Sequence, residues 1–266
     1  MMRAEIDFFR EMLDPASDVD WETSIAHLIP RMPSAMTVGD SCLTGAGGYS
    51  ISLGFWWQMA FPDDVVKRTL VYKKNNKDGQ LITINVLEFV TVIINYCAAV
   101  HVLTSTNLVD DPYPVILNMT DNISVSNWTT HTCKHSQIGR LLACFFCYLL
   151  IGSPVGINSK WISTEENVIA DDISRIKKQT ADDSQFAIFD YSTLTQTYPA
   201  LKHCSFFQIE QDVISAIWEI VLVQKWPPHE MIQKLKHRQL GKLITSNGPS
   251  CMTSPTLAET NQDMSG

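Results

Sequence analysis

Apolar positions along this chain follow two periods, and the change from one to the other organises it. Residues 35–38, Ala-Met-Thr-Val, are a short apolar run leading to Asp40. Gly45, Gly47 and Gly48 follow before an alternating run begins at Tyr49. Glycine tolerates positive φ and close backbone approach, so the stretch reads as strand, turn, strand. Residues 51–61, ISLGFWWQMAF, read as a second strand rich in aromatics, and residues 68–73, RTLVYK, as a third, with a polar turn at 75–80. Three strands joined by short turns predict an antiparallel meander.

The period then lengthens. Leu87, Val90, Ile94 and Ala98 fall on one helical stripe, with Asn85 placed as an N-cap and Glu88 three residues on, the spacing of a capping box. Residues 114–119, PVILNM, are a continuous apolar run with the look of a strand buried on both faces. A short helix is expected over 123–130, and a longer one from a Ser136 cap to about 151, where Gly152-Ser153-Pro154 stops it. Residues 155–162 read as a last strand, and Asn167 as the cap of a helix beginning VIADDISR. This order predicts an α/β or α+β layer: a mixed five-stranded sheet flanked by helices, over residues 34–178.

Outside that domain, Ile6, Phe9 and Leu13 mark an N-terminal helix, and a polar link runs on to residue 33. Residues 179–244 read as a helical C-terminal extension. Ile209, Val213, Ile217 and Ile220 define an amphipathic helix ended by Trp226-Pro227-Pro228, and a basic helix carries Lys234, Lys236, Arg238 and Lys242. With Trp226, that apolar stripe is too large to leave exposed, so the extension is expected to dock on the domain or on a second copy. The Ser-, Thr-, Asn- and Gly-rich segment 245–266 is expected to be a disordered tail.

Composition narrows the picture. A length of 266 residues with 45% apolar content suits one ordinary domain plus extensions. The net charge of −8 means that any nucleic-acid binding must use a local basic patch. Seven irregularly spaced cysteines argue against a disulfide framework. The charged N-terminus does not resemble a signal peptide, and the longest apolar run, 141–151, is too short to span a bilayer. The expectation is a cytoplasmic or nuclear protein with no membrane partner. His131, Cys133, His135, Cys144 and Cys147 are zinc-type ligands. Cys144 and Cys147, however, sit mid-run in an apolar helix, where Cys is an ordinary small core residue.

Four acids stand at element ends: Asp40, Glu88, Asp121 and Asp171. Each also has a purely structural reading, as turn former, capping-box partner, turn former and helix-dipole partner respectively. Taken together they point elsewhere. Strand ends and helix starts are where layered sheets gather their sites, and converging carboxylates repel unless cations neutralise them. Hard oxygen donors suit Mg²⁺ or Mn²⁺, and shared carboxylates suit two such ions acting on a phosphodiester. Lys134, Arg140, Lys160, Arg175, Lys177 and Lys178, with Trp128 and Trp161 nearby, are candidates to line a nucleic-acid groove or simply a solvated surface.

The segments DSCLTGAGGYS, INVLEF, TDN followed by SNW, SQIGRLL and ENVIADDISR resemble the ribonuclease H domain of retroelement polyproteins, of the DIRS-type and gypsy-like kind. The likeness covers about residues 35–178, and the N-x-x-A-D-x-I-S-R finish is its most specific part. It implies a ribonuclease H-like fold that hydrolyses the RNA strand of an RNA–DNA hybrid, with Asp40, Glu88, Asp121 and Asp171 holding two Mg²⁺ or Mn²⁺ ions. It also implies hybrid contacts near Asn122, Trp128, Lys134, Arg140 and Arg175, and a reverse transcriptase module of the parent element as partner. One departure stands out. Where gypsy-like members often carry H-x-P-G, this chain has Trp161-Ile162-Ser163-Thr164, so the loop histidine thought to help product release is missing. The rival reading is a catalytically silent remnant that binds nucleic acid or protein.

Overall fold

The structure is a computed structural model that describes residues 2–14, 27, 31–75, 82–106, 111–131, 133, 136–175, 177–178, 186–187, 191–236 and 240–244. A seven-stranded mixed sheet runs through it, flanked by helices. Strands β1 (Ala35–Ser41), β2 (Gly45–Ser50) and β3 (Phe55–Ala60) form an antiparallel meander. β4 (Val115–Thr120) lies parallel to β1, and β5 (Gly156–Trp161) parallel to β4.

The predicted meander exists, but its pieces are shifted. The glycine-rich stretch is itself β2; the turn before it lies at residues 42–44 and the one after it at 51–54, where Gly54 takes φ +67°. The glycines serve close packing. Gly39 and Gly48 are register partners, and a Cβ on either would fall within 2.6 Å of Asn95 on the helix above. Gly47, the register partner of Asp40, would meet Ile173 Cγ2 at 2.4 Å on the opposite side. The expected third strand at 68–73 is instead part of helix α2 (Asp63–Asn75). Pro62 precedes it and Asp63 and Asp64 favour its N-terminal dipole, which outweighs the β-branched content further on. Of the expected 75–80 turn, residues 76–80 lie outside the described residues, as does the segment 245–266.

Helix α3 (Ile84–Ser105) is the core of the molecule. It is long and apolar enough by length and composition to cross a membrane, yet fifteen of its residues are buried here. Its N-cap is Thr83, whose hydroxyl accepts from the Val86 amide, and not Asn85. Glu88 is therefore two residues too deep for a capping box, and its side chain is buried at 4% exposure. Helices α4 (Ile123–Trp128) and α5 (Gln137–Leu150) follow β4, the latter capped by Ser136 onto the Gly139 amide as expected. Helix α6 (Val168–Ser174) follows β5 on the opposite face. A two-stranded pair, β6 (Lys177–Lys178) with β7 (Phe186–Ala187), and helix α7 (Tyr191–Thr197) come next.

The extension joins the same sheet. β8 (Ser205–Ile209) lies parallel to β3, and β9 (Gly241–Ile244) antiparallel to β8. Ile209 thus belongs to a strand, not to the predicted helix, and Lys242 to β9 rather than to the basic helix. The amphipathic helix is α8 (Gln211–Trp218), continued by a π-helical turn (Glu219–Val223), and α9 (His229–Lys236) follows. Val213, Ile217 and Ile220 are buried in the core that α3 and α5 share, and Ile209 and Trp226 pack against it. Helix α1 (Met2–Leu13) joins that core through Phe8 and Met12, while the stripe read from the sequence, Ile6, Phe9 and Leu13, is the exposed side. A second core, with Val38, Tyr49, Trp56, Ile173 and Phe206, fills the α6 face.

Gly47→Ala tests the close approach of α6 to β2. Overpacking a site walled partly by backbone should destabilise the protein by ~1–3 kcal/mol in denaturant unfolding. A neutral substitution would mean that α6 does not sit on Gly47.

Candidate metal centre

Strand register brings the first two acids together. Val38 pairs with Met119 across the parallel β1–β4 ladder, so Asp40 and Asp121, each two residues on, emerge side by side at the carboxyl ends of adjacent strands. That edge is where an open mixed sheet leaves a crevice. Glu88 descends onto it from α3. Its Oε1 accepts from the Ser41 amide at 3.3 Å, directly after Asp40. Asp40, Glu88 and Asp121 each place a carboxylate oxygen within 4.8 Å of the other two. Among the described residues this is the one such group of three or more His, Cys, Asp or Glu side chains.

Asp171, the fourth acid, is not in that group. Its Oδ1 is taken by Arg175 at 2.7 Å, one helical turn on, in a pair exposed on the arginine side. It stands close enough for its charge to raise the Asp40 carboxyl, which places it on the rim of the site.

The helix that carries Asp171 does more for Asp40 than for itself. Asn167 stands at its N-cap, but its side chain makes no cap bond; instead its amide donates to Asp40 Oδ1 at 3.3 Å. The Ser174 hydroxyl donates to Asp40 Oδ2 at 2.7 Å. Both residues are fully buried. Asp121 is oriented from β5 and the loop after it: Thr164 Oγ1 donates to its Oδ2 at 3.1 Å, and the Trp161 indole N–H donates to its carbonyl at 2.9 Å. Asn167 reads as an ordinary cap in the sequence, and nothing there singles out Ser174 or Thr164 except the motif that encloses the first two.

Electrostatically the site is strained. Burial pushes the Asp40 carboxyl up to about 7 from 3.8; the Ser174 hydroxyl opposes this, and the charges of Asp121 and Asp171 add to it. Burial likewise holds Glu88 well above the usual carboxylate range, with Asp40 and Asp121 adding and the amide and hydroxyl of Ser41 opposing. Each pair of ionised carboxylates about 5 Å apart repels by roughly 3 kcal/mol at an effective dielectric near 20. Glu88 Oε2 is buried with no hydrogen-bond partner. A buried carboxylate oxygen left without a donor is unusual, and a hard cation supplies what it lacks. The donor set, three carboxylates and no sulfur or imidazole, fits a metal ion of that kind.

The candidate nucleic-acid contacts are dispersed. Asn122 caps α4, accepting from the Ser124 and Val125 amides, and donates to Asn85 Oδ1. Trp128 packs edge-on against Phe89, centroids 5.7 Å apart, at the margin of the core. Arg140 is half-buried near Cys133, Arg175 holds Asp171, and Lys134 lies outside the described residues. Lys160 is exposed beside Trp161.

Compared with known proteins, the chain matches no family description, no curated protein and no solved structure.

The raised Asp40 carboxyl sets a pH dependence. Between 3.8 and about 7 the unfolded chain has lost this proton while the folded state keeps it. The folded state then binds more protons, so metal-free stability falls as pH rises through that window and the contribution is gone above it. Thermal melts of wild type against Asp40→Asn should show the wild type losing ground across this range. Mg²⁺ binding needs the ionised carboxylates, so the melting-temperature gain on adding Mg²⁺ should grow with pH over the same range. Asp121→Asn should be neutral or stabilising without metal and should abolish the gain. Equal Mg²⁺ responses in wild type and Asp121→Asn would refute the site.

Proposed function

We propose that the protein is a retroelement-type ribonuclease H, a metal-dependent endonuclease acting on the RNA strand of an RNA–DNA hybrid. The observation that carries this reading is the convergence of Asp40, Glu88 and Asp121 within 4.8 Å at the carboxyl edge of the sheet. Two further points support it. The mixed α/β layer expected from the hydrophobic pattern is present, although α2 stands where a third strand was expected. The motif N-x-x-A-D-x-I-S-R also acquires a physical meaning: its Asn167 and Ser174 hold Asp40, and its Arg175 holds Asp171.

In this reading Asp40, Glu88 and Asp121 would hold Mg²⁺ or Mn²⁺, with Asp171 completing a second position at the rim. A pair of such ions supplies activation of a water and neutralisation of charge on the leaving oxygen. The chain's own part is placement. Asn167 and Ser174 fix the Asp40 carboxylate in one orientation, and Thr164 fixes that of Asp121. In sequence, Trp161 aligns with the loop histidine of the domains this chain resembles. An indole N–H only donates, and this one is used by the Asp121 carbonyl, so that position moves no proton here. Turnover should therefore be slow relative to a single round of cleavage.

The test is cleavage of a labelled RNA–DNA hybrid beside matched single-stranded and duplex RNA. Hybrid-selective, Mg²⁺-dependent cleavage is expected, lost in Asp40→Asn and in Glu88→Gln. Ser174→Ala should lower activity ~10–100-fold, the usual loss when a residue orienting a metal ligand is removed. Metal binding with no cleavage under single-turnover conditions would favour the silent remnant instead.

A further inference from the structure

Of the twelve exposed large apolar side chains among the described residues, four stand around the acids. Ile84 and Val168 stand exposed at the first positions of α3 and α6, Ile123 at that of α4, and Trp161 at the end of β5. Each stands at the start of, or next to, an element that delivers or orients an acid. Trp161 differs from the rest in being fixed. Its register partner is Thr120, the residue before Asp121, and its N–H is spent on the Asp121 carbonyl at 2.9 Å. The ring is thus held in one orientation beside a metal-ligand candidate while 49% of the residue faces solvent.

We infer that the Trp161 indole is an apolar platform for the nucleotide adjoining the phosphate held at the carboxylates. This rests on the nuclease reading above. A ring contact adds affinity that does not draw on counterion release, alongside whatever basic groups meet the backbone. Aromatic contact with bases is tolerant of sequence, as a nuclease without sequence preference requires. An anchored ring also loses little freedom on binding.

The test measures binding of a fluorescently labelled RNA–DNA hybrid in Ca²⁺, and cleavage in Mg²⁺, for the wild type, Trp161→Ala and Trp161→Phe. Trp161→Ala should bind roughly 5- to 150-fold more weakly, the loss of one ring–base contact. KM should rise with it. Trp161→Phe keeps a ring and should recover most of the affinity. Trp161→Ala and Trp161→Phe lose the same bond to the Asp121 carbonyl, so a role through Asp121 alone would weaken both equally, whereas a ring contact separates them. Equal hybrid affinity in wild type and Trp161→Ala overturns this inference alone. A wild type that binds no hybrid overturns the nuclease reading and this inference with it.

Discussion

The fold is arranged around a repulsion. Asp40 and Glu88 are buried carboxyl groups, with Asp121 close enough for all three to share a ligand. Burial alone disfavours their charged forms, and proximity adds to it. The molecule offers partial relief from protein groups: two donors to Asp40, one to Glu88 and one to Asp121. That leaves Glu88 Oε2 without a donor. A protein selected only for stability would replace such a group with an apolar one, because removing both charge and desolvation is often neutral or favourable. The arrangement makes physical sense when a cation completes it.

Everything that positions these groups is rigid. Asp40 and Asp121 sit on neighbouring parallel strands, whose register sets their spacing. Glu88 sits on a helix pressed against β1 and β2 by the missing side chains of Gly39 and Gly48. Beneath it runs a buried polar chain in which the Trp57 indole donates to Asn95, and Asn95 and Thr37 donate to Asn118. That chain ties β3, α3, β4 and β1 to one another in a core that is otherwise apolar. It resists sliding of α3 along the sheet, because any slide would strand buried polar atoms. Glu88 thus inherits its depth from contacts two turns away.

The sequence made some of this legible. β4 was readable as a short apolar run, β5 as a short segment after the Gly152-Ser153-Pro154 stop, and α5 by its Ser136 cap, because these signals are local. The acids were readable as a set because their placement at element ends is a chain-level pattern. The misreadings have physical causes. Glycines at 45, 47 and 48 looked like a turn, but their role is to admit α3 and α6, and a close approach between distant segments leaves no local mark. Residues 68–73 carry β-favouring side chains, yet sit in a helix started by Pro62 and two acids. Glu88 at capping-box spacing from Asn85 was a coincidence created by a cap two residues earlier at Thr83. β8 and β9 pair with each other across some thirty residues, and β8 with β3 across far more, so neither could be placed from its own composition. Asn167 illustrates the limit: its N-cap position was readable, but its side chain serves Asp40, 127 residues away.

A crystal grown or soaked in Mn²⁺ and measured at the manganese absorption edge addresses the central claim most directly. The account predicts an anomalous peak coordinated by Asp40, Asp121 and the otherwise unpartnered Oε2 of Glu88, lost in Asp121→Asn crystals. Saturating Mn²⁺ with no peak between these three carboxylates, and Glu88 hydrogen-bonded as a neutral acid to Asp40, would contradict it.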